Sequence, residues 1–240
     1  MKKVLLILVL VVFSTVFLTA DVYIQQKIHS DAFEIMGQKT PEKNEVSHMW
    51  LGKNKMAVHG EKMSIIINLD KKEIMMINHE NKSYVPMSLP LELDKYFPAQ
   101  MLQMMGGVKV TVNPTGETLK VGKWKCQGYD MSMNMMMFTI NSKIWASTDV
   151  FFDWKKFQEG IFMEFTKVTM RLGEDTIKEF QKIKGFQIKS VMTINMMGQN
   201  MVTTQEVVEI SKKSAPAGTY SAPAGYTKKD KVSMMDMQNK

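Results

Sequence analysis

From Asp21 onward, apolar and polar positions alternate in short runs. Val22, Ile24 and Ile28 share one side of a first strand, Val46, His48 and Trp50 one side of a second, and Met63, Ile65, Ile67 and Leu69 one side of another. A period of two with one apolar side predicts half-buried antiparallel sheet, because successive side chains of a strand point to opposite faces. The segments between the runs are short and polar. Residues 52–55 (GKNK), 69–73 (LDKKE), 79–82 (HENK) and 113–117 (NPTGE) all have hairpin length and turn chemistry. The first half therefore reads as a meander of strands.

Two stretches break this rhythm. In SLPLELDKYFPAQMLQMMGG, Pro98 opens a helical turn, Met101, Met104 and Met105 fall on one side, and Gly106 and Gly107 stop it. Further on, Trp154, Phe157, Ile161, Phe165, Val168 and Leu172 recur at helical spacing from Asp153 onward, an apolar stripe that has to be buried. EDTIKEFQKIKG then gives a shorter helix with Ile177 and Phe180 inward and Gly185 as its C-cap. The chain returns to sheet in two strands that meet at residues 197–200. SAPAG follows twice, at 214–218 and 221–225, and its prolines predict an edge or wrapping segment. Residues 227–240 read as a flexible polar tail.

This pattern predicts a mainly β chain with helices (α+β): one curved antiparallel sheet, a half-barrel, whose concave face is covered by helices from segments 88–106 and 152–184. Such a cup leaves a cavity wherever the helices pack loosely. Residues 21–226 form the expected single domain, since no linker divides the run of strands.

The N-terminus adds a compartment. MKKVLLILVLVVFSTVFLTA has two lysines, an apolar run and a small-residue end, the build of a cleavable signal peptide over residues 1–20. Asp21 follows the expected cut, so no lipid-bearing cysteine leads the mature chain, and a periplasmic, non-lipoprotein product is expected. Charge changes the picture little. The formal +7 falls to +5 when Lys2 and Lys3 leave, Arg171 is the lone arginine, and lysines alternate with acidic residues, so nucleic-acid binding is not expected. Cys126 has no partner for an internal disulfide, so stability has to come from core burial.

The chemistry-bearing feature is methionine, 25 residues in all. In YDMSMNMMMFTI, Met131, Met133, Met135 and Met137 lie on one face of a strand at about 7 Å spacing. Met192 and Met196 share a face of a later strand. Three readings stay open: plain core, an adaptable lining for an apolar ligand, and a thioether site for Cu(I) or another soft metal. The four histidines, His29, His48, His59 and His79, match no local metal motif in their spacing. The chain contains no nucleophile elbow, zinc-protease or glycine-rich phosphate motif, so an enzyme is not expected, nor is a cofactor.

Several phrases together resemble a known family. DVYIQQKIHSDAFEIMGQ, HMWLGKNKM, IIINLDKKEIMMINHENKSY, VTVNPTGETLKVGKWKCQGYDM, the IWAS of residues 144–147 and APAGTYSAPAGY are similar to exported bacterial proteins grouped as domain-of-unknown-function family 4412. More distantly, Gln25-Gln26-Lys27, Trp50-Leu51 with Lys53 and Lys55, and the INLDKKEIMMIN hairpin resemble the LolA and LolB lipoprotein carriers. That resemblance implies a half-open barrel plugged by helices, with acyl chains held in the cavity. The arginine those carriers use in lipoprotein release has no counterpart here, since Arg171 lies in the helical insert.

The combined expectation is a monomeric, non-catalytic envelope protein that binds a hydrophobic small molecule or an acylated protein and contacts a membrane surface transiently. Its lining is expected from Trp50, Met101, Met104, Met105, Met131, Met133, Met135, Met137, Phe157, Phe165, Met192 and Met196. The other two classes, a soft-metal or envelope-stress protein and a solid partner-binding domain, remain open.

Overall fold

The computed structural model describes residues 20–35, 37–104, 108–135, 138–163, 173–196 and 198–233. The apolar N-terminal segment up to residue 19, Met105, Met137 and Phe165 lie outside the described residues, as do the side chains of Met104 and Met196.

Twelve strands form one large, curved, unclosed sheet. The strands are β1 (Asp21–Ser30), β4 (Lys43–Leu51), β5 (Lys55–His59), β6 (Met63–Asn68), β7 (Glu73–Asn78), β8 (Ser83–Ser88), β9 (Lys109–Val121), β10 (Trp124–Asn134), β11 (Thr139–Ser147), β12 (Phe186–Met196), β13 (Gln199–Lys213) and β14 (Thr227–Lys228). Their spatial order is β14-β8-β7-β6-β5-β4-β1-β13-β12-β11-β10-β9, antiparallel throughout except for the parallel pair β14 and β8. A separate two-stranded ribbon is made by β2 (Phe33–Ile35) and β3 (Gln38–Thr40). The meander inferred from alternation is thus the run β4 to β8. The chain closes the middle of the sheet non-locally by laying β13 beside β1, with Asp21 opposite Lys213.

The two faces of the sheet are covered differently. One face carries the helices α1 (Leu93–Tyr96), α2 (Ala99–Met104), α3 (Trp154–Phe157), the π-type turn α4 (Gln158–Phe162) and α5 (Glu174–Phe180). On this helical face Ile24, Leu51, Met56, Ile67, Ile74, Val85 and Met87 pack with Leu93, Phe97 and Met101 into the main core. A second core, Val110, Val112, Tyr129, Met133 and Ile144, lies under Phe180 and Ile183. The opposite face is crossed by residues 214–226, which rest on Tyr23, Trp50, Ala57, Ile66 and Ile77. We call this the strap face.

Several local expectations are corrected. Residues 113–117 do not form a turn; they run inside β9, and the actual turn is Gly122-Lys123. Pro114 is tolerated because β9 is an edge strand, where a missing N–H interrupts no ladder. The irregularity appears instead as a register shift opposite Gln127 to Tyr129, and a side chain at Gly128 would come within 2.6 Å of the Thr115 hydroxyl. The long helix from Asp153 starts as expected, with the Asp153 carboxylate accepting from the Lys156 amide at 3.0 Å. It then changes character: Gly160 takes φ −93°, ψ −110°, which breaks the helix inside α4. Gly185 is no helix cap, since α5 ends at Phe180. Its φ of +110° and the Ser147 backbone, 2.5 Å from where a Cβ would sit, demand glycine there. Residues 227–233, the described part of the expected tail, are tied to the sheet. Thr227 and Lys229 amides donate to Lys82 and Tyr84 carbonyls, and Val232 is buried in the main core.

At the far edge of the sheet, α5 lies against β9, and the Glu179 carboxylate accepts the Val112 amide at 2.7 Å. Lys182 and this amide hold the Glu179 carboxyl below its usual range, the lysine contributing most.

Candidate functional site: a hollow on the helical face

Strand parity assigns the helical face its floor. Ile28 and Ser30 of β1, Lys43, Glu45 and Ser47 of β4, Val58 of β5, Met63 and Ile65 of β6, and Met201 and Thr203 of β13 share the face that holds the main core, but lie beyond its filled part. There they line a hollow of about 1020 Å³, flanked by the β2–β3 ribbon through Phe33, Lys39 and Thr40. The volume stands at the upper end of the range of roughly 300–1,000 Å³ typical of small-molecule sites.

The lining is amphipathic. Ile28, Val58, Met63, Ile65 and Met201 supply apolar surface, Ser30 and Thr203 hydrogen-bond each other at 3.2 Å, and Ser47 is buried. Charged side chains line it as well: Lys43 pairs with Glu45 and lies 3.8 Å from Glu61. Lys62, also on the lining, pairs with Glu80 at 3.0 Å. These ion pairs are half exposed, so they orient polar groups and contribute little to stability.

Of the residues expected to line a cavity, those whose side chains are described, Trp50, Met101, Met131, Met133, Met135, Phe157 and Met192, do not line this one. Trp50 is the plainest correction: it is buried, but on the strap face, 4.7 Å from the Tyr23 ring. Its strand partners are Tyr23 and Ala57, whereas the neighbouring Leu51 points to the helical face. Met101 is buried in the main core, and Phe157 packs against that core from α3. Met131, Met133 and Met135 do share a face, as their spacing predicts, but they pack in the second core with Val110, Ile140 and Ile177. Met192 is half-buried opposite Ser142 and Thr203. Met101 and the three β10 methionines therefore lie in two different packed cores.

Cys126 is fully buried in the main core, and burial pushes its thiol above the usual range, which disfavours the reactive thiolate. Among the described residues no cluster of three or more His, Cys, Asp or Glu side chains is arranged to hold a metal ion. Among them, too, no helix is long and apolar enough to cross a membrane.

The histidines hold the grouping that sequence spacing missed. His48 stands opposite His59 across the β4–β5 hairpin, and His59 opposite Ser64 across β5–β6. The Ser64 hydroxyl lies 3.0 Å from His59 Nδ1 and 2.7 Å from His79 Nε2. Counting outward from the GKNK turn pairs 51 with 56 and so 48 with 59; that arithmetic was the available signal.

An open antiparallel sheet with short helices over part of one face and an amphipathic hollow beside them defines a mainly β protein. The chain belongs to the family described as Domain of unknown function (DUF4412), which matches residues 36–226. No characterised protein matches the chain.

Proposed function

We propose that this protein is a non-catalytic binding or carrier protein of the bacterial envelope, exported by a cleaved signal peptide, which holds an amphipathic ligand such as a lipid or the acyl chain of a modified protein. The proposed architecture is a half-barrel with a helical plug, akin to the LolA-type carriers. The observation that carries the reading is the hollow of about 1020 Å³, apolar along Ile28, Val58, Ile65 and Met201 and charged at Lys43, Glu45 and Glu61. An acyl chain entering it leaves water at about 0.8 kcal/mol per buried methylene, while a polar headgroup remains beside the charged side chains. Lysine-rich composition supports transient contact with an anionic membrane surface, where the ligand would be collected.

Native mass spectrometry of protein taken from its own envelope tests this. The expected spectrum shows the mature chain with a bound lipid-sized mass, and an Ile65→Lys variant of unchanged fold that lacks it. Ligand retained in equal amount by that variant places the binding elsewhere, and a ligand-free natural chain removes the carrier reading.

A further inference from the structure

The strap face carries a hydrogen-bond relay whose direction is fixed by chemistry. The Thr219 carbonyl can only accept, so His59 Nε2, 3.1 Å away, bears a proton. In its neutral form His59 then accepts at Nδ1, and the donor is the Ser64 hydroxyl. Having spent its one hydrogen, Ser64 accepts from His79 Nε2. His79 Nδ1 in turn accepts from the Tyr226 hydroxyl at 2.9 Å. Both ends of the relay, Thr219 and Tyr226, belong to the strap, while Ser64 and the two histidines belong to the sheet and its turns. Two neutral imidazoles thus clasp residues 214–226 onto the apolar patch of Tyr23, Trp50, Ala57, Ile66 and Ile77.

A first added proton is absorbed by reversing the relay. If His59 Nδ1 is protonated it donates to Ser64, Ser64 donates to His79 Nε2, and His79 donates to the Tyr226 oxygen. A second proton has no such solution. Both rings then donate to the Ser64 oxygen, the serine hydrogen has no acceptor in the relay, and two like charges face each other across one hydroxyl.

The surroundings offer little compensation. His48 of β4 faces His59 from the other side, and the Tyr226 ring meets the His79 ring edge-on at 5.7 Å. Asp21 of β1 is engaged by the Tyr220 hydroxyl at 2.7 Å, with Lys55 of β5 4.1 Å above the Tyr220 ring. In the turns, Glu80 pairs with Lys62 and Glu61 lies near Lys43. Burial lowers the pKa of both His59 and His79, and His79 and His48 further oppose a charge on His59, against the raising effect of Thr219.

We propose that the relay is a proton-sensitive clasp: acidification charges His59 and His79, releases the strap and uncovers the aromatic and aliphatic patch beneath it. A folded pKa below the unfolded 6.5 means that the closed strap binds fewer protons than the open one. The closing contribution is therefore full above about pH 6.5 and is lost as pH falls through the lowered values.

Hydrogen exchange of the full chain, corrected for the intrinsic pH dependence of amide exchange, reads this directly. Peptides covering residues 214–229 are expected to open about tenfold or more between about pH 7.5 and about pH 5, while the β9–β13 strands stay protected. In the H59Q/H79Q variant that dependence is expected to vanish. Equal strap protection at both pH values overturns the clasp, as does a variant that keeps the full pH response. Should the double variant fail to fold, NMR titration of the natural chain decides: imidazole pKa values at or above that of a free histidine overturn the proposal, and values below it support it.

Discussion

The two faces of the sheet are built from the same strands and solve burial in opposite ways. On the helical face, aliphatic and thioether side chains of Ile67, Ile74, Met87 and Met101 pack without polar partners, and where the helices stop a hollow remains. On the strap face, a smaller aromatic patch is covered by thirteen residues whose sequence, SAPAGTYSAPAGY, makes neither helix nor strand of its own. That cover is fixed by directional bonds: His59 to Thr219, Tyr226 to His79, and Tyr220 to Asp21. Dispersion and hydrophobic burial tolerate rearrangement, whereas a relay through hydroxyls and imidazoles holds in one protonation pattern and weakens in another. One face leaves a hollow beside a packed core, and the other is closed by a cover that directional bonds hold.

Neighbouring residues allow this contrast to be broken cleanly. Ile66 and Ile67 are both buried to within 2% of full exclusion, yet point to opposite faces. Ile67→Ala is expected to cost about 3–5 kcal/mol in urea unfolding, because helices and strands wall the cavity it leaves. Ile66→Ala should cost less, about 2 kcal/mol, since the strap can settle into the gap, and should raise exchange in the strap alone. Equal costs, with no local change in the strap, would erase the distinction. For the second core, Met133→Leu is expected to fall under about 1.5 kcal/mol, because volume is kept. A larger loss from that change means that the thioether has a role beyond filling space.

The most local effect concerns Tyr220. Burial, reinforced by Asp21, raises its phenol far above the usual range, so it remains a neutral donor to that carboxylate. Removing the hydroxyl in Tyr220→Phe should cost about 1–2 kcal/mol, read as faster strap exchange at neutral pH with an unchanged midpoint for the sheet. A fall in the global midpoint instead would make the strap an integral part of the core.

Much of this architecture was readable from alternation, and its failures have definite causes. Alternation assigned Val22, Ile24 and Ile28 to one side and Val46, His48 and Trp50 to one side, as found. It could not say which side meets helices, because that depends on the non-local pairing of β1 with β4 and β13; Trp50 was therefore placed on the wrong face. Asn113–Glu117 looked like a turn because proline and glycine usually end strands, and an edge strand exempts them. Spacing places Met131, Met133 and Met135 on one face, as they stand in the structure, but it carries no information about what lies opposite them, and here that is α5. The hollow itself went unread, since its walls come from β1, β4, β5, β6 and β13 and no single stretch of sequence announces it.

An open sheet has two rims, and each backbone N–H on a rim invites a stranger's strand. At β9 the Glu179 carboxylate already occupies the amide of Val112, and α5 lies alongside. A second molecule seeking to extend the ladder there would have to displace a charged acceptor and a helix before gaining its first bond. This side chain therefore guards the protein against polymerising with itself, and Glu179→Ala should reveal that protection as concentration-dependent fibril growth in a chain that still folds.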